Sequence, residues 1–259
     1  MSKHDIESFT LHADDGVRID AALYASTRPS DTAVVLAHGF SGTWRSQRTR
    51  HIAGMFRSQA SVLAFDFRGH GRSGGVSTVG DLEILDVHAA VAFLRRHGYA
   101  RIALVGFSMG AAVTVRYAGI YGDIDAIAAV SGPAHWYYKG TPHMRMLHRA
   151  VEWPLGRMVS RLALRTRISN GGWADVPKTP VELAANISPI PLLIMHGDQD
   201  PYFPLRHAFA IAEAAAEPKT LWVVPGMGHA ESGMTPQLTR RLRTWVIDCL
   251  EHEDVSPVA

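Results

Sequence analysis

The chain has one cysteine, Cys249, in 259 residues, so no intrachain disulfide can form. A fold of this length must hold together by burial, and the lack of cysteine pairs suits a reducing compartment. No apolar run approaches the roughly 20 residues that a membrane-spanning helix needs. The opening Met1-Ser2-Lys3-His4-Asp5-Ile6-Glu7 lacks the apolar stretch of a secretory signal. Together these absences lead to the expectation of a cytoplasmic protein with no membrane span. An excess of one charge is also missing. The formal net charge of +2 provides no global attraction to nucleic acid, so no nucleic-acid partner is expected. There is no internal repeat and no low-complexity tract.

What is present is an alternation of apolar runs and helix-forming segments. Ser8 to His12 and Val17 to Tyr24 read as strands of a hairpin turning at Asp14-Asp15-Gly16. Ala33 to Ala37, Ser61 to Asp66, Arg101 to Gly106, Ile124 to Val130, Pro191 to His196 and Thr220 to Val224 are further strands. Several are continuous apolar runs, the pattern of strands buried on both faces. Between and after them, Trp44 to Ser58, Asp81 to His97, Leu205 to Ala216 and Thr235 to Leu250 read as helices. In the second of these, Leu82, Leu85, Val91, Ala89 and Ala92 form an apolar stripe. Such alternation implies an α/β fold with a mostly parallel sheet covered by helices on both faces. The last residues, Val255 to Ala259, read as a loose tail.

One stretch breaks the alternation. Residues 134–189 hold no convincing strand. Thr141-Pro142 is a helix cap followed by proline at the first helical position, and Met144, Leu147 and Val151 follow at helical spacing. Pro154 restarts the pattern with Leu155, Met158, Val159 and Leu162. We read two short helices in an insertion over the sheet, which divides the chain into a core of residues 1–133 and 190–259 and a helical cap of 134–189. The cap carries Lys139, Arg145, Arg149, Arg157, Arg161, Arg165, Arg167 and Lys178 against Glu152, Asp175 and Glu182. That bias suits either a solvated helix face or an anionic substrate or partner.

The centre of the chain is Gly106-Phe107-Ser108-Met109-Gly110, which follows an apolar strand and opens a helix. A serine at a sharp strand-to-helix turn is lifted off the sheet edge, with the first helical N–H groups aimed at the same point. A serine hydroxyl is a weak nucleophile until a base takes its proton, and the base needs a group to hold its tautomer. In proteins with this turn the order is serine, acid, histidine. His229, in the glycine-rich loop Pro225 to Glu231 after the last strand, meets that order best. His207 falls within a helix and His252 in the tail. For the acid, His196-Gly197-Asp198-Gln199-Asp200-Pro201 follows a buried strand. Asp200, beyond the turn and before Pro201, is favoured over Asp198, which suits a loop-pinning role. Asp125 and Asp175 do not follow a strand in the right place.

Five segments in this order, His38-Gly39-Phe40, Asp66 to Ser73, Gly106 to Gly110, His196 to Asp200 and Gly228-His229, resemble the α/β-hydrolase fold superfamily. The similarity is to its esterase, lipase and serine-aminopeptidase-like branch with a small helical cap. It implies an eight-stranded sheet whose second strand is antiparallel, with the cap inserted after the sixth strand. It further implies Ser108 as nucleophile, Asp200 as acid, His229 as base, and an oxyanion hole from the backbone N–H groups of Met109 and Phe40. From the residues alone, His38-Gly39 reads only as a tight turn. The glycine-rich Asp66 to Gly75 invites a phosphate-loop reading, but it has no Gly-Lys-Ser/Thr and no Rossmann spacing, and the resemblance makes it structural, with His70 a packing or hydrogen-bonding residue.

The implied reaction is hydrolysis of a carboxylic ester, a small-molecule acyl substrate, with no metal and no organic cofactor. The same chemistry serves monoacylglycerol lipases, thioesterases, amidases, peptidases and carbon–carbon bond hydrolases, and a hydrolase scaffold can also serve as a non-catalytic ligand receptor. Trp136, Tyr137 and Trp153, with Tyr138, Met144, Met146 and Trp173, are candidates either to line a substrate pocket or to pack the cap on the sheet.

Overall fold

The apolar runs become strands because each is buried on both sides. In the computed structural model, which describes residues 6–251, they form one eight-stranded sheet in the order β1-β2-β4-β3-β5-β6-β7-β8. The strands are β1 (Ile6–His12), β2 (Arg18–Tyr24), β3 (Thr32–Ala37), β4 (Ser61–Phe65), β5 (Arg101–Phe107), β6 (Ala126–Val130), β7 (Leu192–Gly197) and β8 (Lys219–Val224). β2 is antiparallel to both β1 and β4, and every pairing from β4 to β8 is parallel. This matches the expected hairpin and antiparallel second strand. His252 and the tail 255–259 lie outside the described residues.

Helices cover the two faces, and the side-chain period of two sorts the strand residues between them. Val35 and Leu104 join one core with Val87 and Leu94 of α2 (Glu83–Arg96), Val113 and Val115 of α3 (Met109–Tyr121) and Ile211 of α7 (Arg206–Ala214). Val34, Leu36 and Val105 join the other, with Ile52 and Phe56 of α1 (Gln47–Phe56) and Leu242 and Val246 of α9 (Pro236–Glu251). Between β6 and β7 stand α4 (Pro142–Glu152), α5 (Pro154–Ala163) and the short α6 (Pro180–Leu183), followed by a 3-10 turn, Ala184–Ile187. The four-residue α8 (Ala230–Gly233) precedes α9.

The segment 134–189 is not uniform. Ala184 and Ile187 are buried in the core that includes α3, so the end of this stretch belongs to the packed body. α4 and α5, by contrast, stand outward: Met144 and Ser160 are their only buried residues.

The face that α2 buries is wider than the expected stripe. Leu82 precedes the helix and is exposed, but Ala89 and Val91 of the stripe are buried, together with Glu83, Asp86, Val87, Ala90 and Leu94. The cause is polar and invisible to hydrophobic periodicity. Glu83 accepts N–H bonds from Thr78 and Gly80 at 2.9 Å. Asp86 holds Arg68, itself 2% exposed, at 2.8 Å, and Asp15 takes the other side of the same guanidinium at 2.7 Å. Removing one member of such a buried pair typically costs about 3–5 kcal/mol, because the other charge is left unsolvated. This network stiffens the chain between β4 and α2, the stretch on which the cap rests. There Gly71 N–H donates to Arg165 O (3.1 Å), Arg167 N–H to Gly69 O (2.7 Å) and Ser77 N–H to Arg167 O (2.7 Å).

Candidate active site

β5 ends directly in the turn that carries Ser108. Its backbone has φ 52° and ψ −114°, a strained conformation for an L-residue, of order 1–3 kcal/mol, that surrounding contacts must impose. Ser108 N–H is tied to Val130 O at 2.9 Å, and Ala112 N–H donates to Ser108 O at 3.1 Å, which starts α3 at once. Only glycine suits position 110: a Cβ there would lie 2.3 Å from Ala37 O and 2.6 Å from His38 O. The N-terminus of α3 is therefore seated against the chain leaving β3. Position 39 is almost as tight, since a Cβ would sit 3.2 Å from that of Ser108.

The loop that follows β3 is held by two side chains. His38 is buried; its Nδ1–H donates to Gly39 O (2.7 Å) and its Nε2 accepts from Phe67 N–H (3.1 Å). Burial lowers its pKa to about 4, against the opposing Gly39 hydrogen bond, so the ring is neutral. His70, fully buried, donates Nδ1–H to Arg68 O (3.0 Å) and packs edge-on against Phe40. The second holder is Glu231, whose Oε1 accepts Gly39 N–H at 2.8 Å. Burial raises the Glu231 pKa, although part of its surface still reaches solvent.

The loops after β7 and β8 are stitched together. Gln199 N–H donates to Met227 O (3.1 Å), Asp198 N–H to Val224 O (3.3 Å), and Gly226 N–H to Asp198 Oδ1 (2.7 Å). Asp198 is thus spent on the loop, as its place near the glycine turn suggested. Asp200 points inward with a fully buried side chain. Its Oδ1 accepts N–H bonds from Tyr202 (2.8 Å) and Phe203 (3.0 Å), and its Oδ2 lies 2.7 Å from His229 Nδ1. Burial alone would raise the Asp200 pKa. The hydrogen bond and charge of His229 and the two backbone N–H groups outweigh it and hold the carboxyl below its ordinary range. The carboxylate takes Nδ1–H of His229 and leaves Nε2 as an acceptor, 2.8 Å from Ser108 Oγ. A base in hydrogen-bond reach of a hydroxyl, with its tautomer set from behind, can accept that proton. Ser131 Oγ accepts from Ala230 N–H (3.0 Å) and anchors the residue after the histidine.

Ser108 opens on a cavity of about 340 Å³, also lined by Phe40, Met109, Trp136, Tyr137 and Met144. Trp136 is fixed by an indole N–H bond to Pro177 O at 2.7 Å. Ser108, Phe40, Met109, Trp136 and Tyr137 thus face one space, and Asp200 and His229 back it. Trp153 does not line it. At the junction of α4 and α5 it is 58% exposed, because Pro154 starts a new helix there and turns the side chain outward. His196, which opens the segment carrying Asp200, is buried and donates Nε2–H to Phe203 O (2.8 Å). Glu231 and Ser131 were not singled out from the sequence, since no periodicity marks a polar side chain whose partner lies far along the chain. Among the described residues no cluster of His, Cys, Asp and Glu could hold a metal ion.

The family model for serine aminopeptidases (S33) matches residues 28–180, more than half of the chain. The chain belongs to this family of α/β hydrolases. The hydrolase is 27% identical over 233 residues to the uncharacterized protein YfhR of Escherichia coli K12, covering 87% of this chain and 74% of that one. It is 26% identical over 247 residues to a monoacylglycerol lipase of Mycolicibacterium smegmatis, covering 83% and 86%. In three dimensions it is similar to the Pyrococcus furiosus esterase Pf2001, with a TM-score of 0.77 at 24% identity over 95% of this chain and 93% of that one. This last likeness speaks to the fold alone. No helix among the described residues is long and apolar enough to cross a membrane.

Proposed function

We propose that this hydrolase cleaves carboxylic esters through an acyl-enzyme on Ser108, with His229 as base, Asp200 as its orienting acid, and no metal or organic cofactor. The observation that carries this reading is the unbroken relay from Asp200 Oδ2 to His229 (2.7 Å) to Ser108 Oγ (2.8 Å), on a strained turn that faces a largely apolar cavity. His229 Nε2 takes the hydroxyl proton as Ser108 Oγ attacks the ester carbonyl. The imidazolium so formed is stabilised by the Asp200 carboxylate. Negative charge develops on the carbonyl oxygen and is received by the N–H groups of Met109 and Phe40, each such donor being worth about 3 kcal/mol in the transition state. Collapse expels the alcohol, which leaves with the proton from His229. Water then attacks the acyl carbonyl, with His229 again as base, and frees Ser108.

The substrate class follows from the lining. Aromatic rings and Met144 around Ser108 favour esters with an apolar acyl or alcohol group of small to medium size. The monoacylglycerol lipase name of a similar protein agrees with an ester substrate. The test is labelling of the folded protein with a fluorophosphonate probe, read by peptide mass, together with turnover of a series of esters. We expect one adduct on Ser108 and loss of both labelling and turnover in Ser108→Ala. A folded protein that takes no adduct would instead be a ligand-binding relative that has lost catalysis.

A further inference from the structure

The cap carries a surface that the hydrolytic site does not use. α5 reads Pro154-Leu-Gly-Arg-Met-Val-Ser-Arg-Leu-Ala163, and its amphipathic pattern is inverted. Its only buried residue is Ser160. On the same inner side, Gly156 packs so closely on α4 that a Cβ would meet Arg149 O at 2.4 Å. The apolar residues point the other way. Leu155 is 65% exposed, Met158 50%, Val159 51% and Leu162 74%. At about 100° per residue these four fall within roughly 100° of arc, a continuous stripe facing solvent. The flanking caps of the helix, Trp153 and Leu164, are exposed as well. An apolar patch of this kind marks a site of contact rather than scattered surface residues.

Its neighbourhood is basic. Where α5 ends, Arg161, Arg165 and Arg167, with Gly71, line a hollow of about 210 Å³, and no carboxylate lines it. Arg167 is held in place by donating to Gly75 O (3.1 Å) and to Ser73 O. Arg161 and Arg165 are exposed. The basic bias of the cap was compatible with a solvated face, but the exposed side of α5 is apolar over Leu155, Met158, Val159 and Leu162, with Arg161 beside it. A second copy of the chain would bring two arginine-rich borders together. An anionic lipid surface satisfies both parts, with acyl chains for the stripe and phosphates for the guanidinium groups.

We propose that α5 docks the cap on an anionic phospholipid surface, with Leu155, Met158, Val159 and Leu162 in the headgroup–acyl boundary and Arg161 and Arg165 on lipid phosphates. α4, which packs against α5, lines the cavity with Met144, Leu147 and Val151, so docking brings the cavity wall to the lipid. The docking itself does not depend on Ser108, so its failure and the failure of the hydrolase mechanism are separable.

The experiment is co-sedimentation of the full chain with vesicles of phosphatidylcholine alone or with added phosphatidylglycerol, at low and at moderate salt. Wild type and Ser108→Ala should sediment together with the phosphatidylglycerol vesicles, less so as salt rises, and weakly with phosphatidylcholine. The double variant Leu155→Ser/Leu162→Ser should weaken binding about tenfold or more. Arg161→Gln/Arg165→Gln should lower it about fivefold per arginine and remove the preference for phosphatidylglycerol. These side chains are exposed and outside the cavity, so both variants should keep the wild-type melting temperature and turnover of a water-soluble ester. Wild type that stays in the supernatant with phosphatidylglycerol vesicles at low salt would overturn the proposal. So would a leucine variant that binds like wild type, or a dimer in solution that the leucine variant dissolves while vesicles bind nothing.

Discussion

Glu231 is the residue whose replacement tests most directly how the proposed oxyanion site is held. Its carboxylate accepts Gly39 N–H at 2.8 Å, a charge-assisted bond worth about 1.5–3 kcal/mol. Gly39 lies so close to Ser108 that a Cβ would approach to 3.2 Å, and Phe40, the proposed donor, is the next residue. In Glu231→Ala the Gly39 N–H must find another partner, and the loop can turn to do so. Complete loss of one oxyanion donor costs about 3 kcal/mol, an upper bound of roughly 150-fold; partial misplacement should lower kcat about 10- to 100-fold. KM should hardly change, since the cavity walls that bind the ground state are intact. Glu231→Gln keeps an acceptor oxygen and should stay within a few-fold of wild type.

Glu231→Gln also has a signature in stability. Burial raises the Glu231 pKa, so the folded chain binds that proton more tightly than the unfolded chain. Stability from this group is present in acid and is lost as pH rises through the folded pKa. The glutamine variant should therefore melt higher than wild type at neutral pH, with the gain shrinking in acid. The assay is steady-state turnover of a chromogenic ester, with thermal melts across pH. A Glu231→Ala protein that keeps kcat within twofold, or one that changes KM alone, would refute the reasoning.

Other consequences are as specific. Asp200→Asn should lower kcat by about 10³- to 10⁴-fold, because His229 loses its tautomer holder, whereas Asp198→Ala removes only the bond to Gly226 N–H and should change turnover a few-fold at most; the reverse ranking in steady-state assays would exchange their roles. His207 is buried, accepts Ala134 N–H on Nδ1 (3.1 Å), and has its pKa lowered to about 4 by burial and then by Arg206. The unfolded chain takes up a proton near pH 6.5 that the folded chain refuses until about 4, so stability falls as pH drops through that window. His207→Asn keeps an acceptor for Ala134 and should flatten this loss in urea titrations at a series of pH values; an unchanged slope would count against it.

Much of this protein could be read from order along the chain. The buried strands were legible because parallel strands covered on both faces must be apolar throughout, and the β1–β2 hairpin was marked by the turn at Asp14-Asp15-Gly16. The meeting of Ser108, Asp200 and His229 was legible because each follows a strand, and a parallel sheet brings all such ends to one edge. Tertiary structure alone decided the rest. Glu83 and Asp86 put two carboxylates on the buried face of α2, since a buried carboxylate goes where its donors are. Glu231 met Gly39 across 192 residues of sequence. Trp153 left the cavity, and the apolar residues of α5 face outward although their spacing would suit a core helix equally well. Periodicity states that a helix has an apolar side; only the packed structure decides whether that side meets protein or something beyond it.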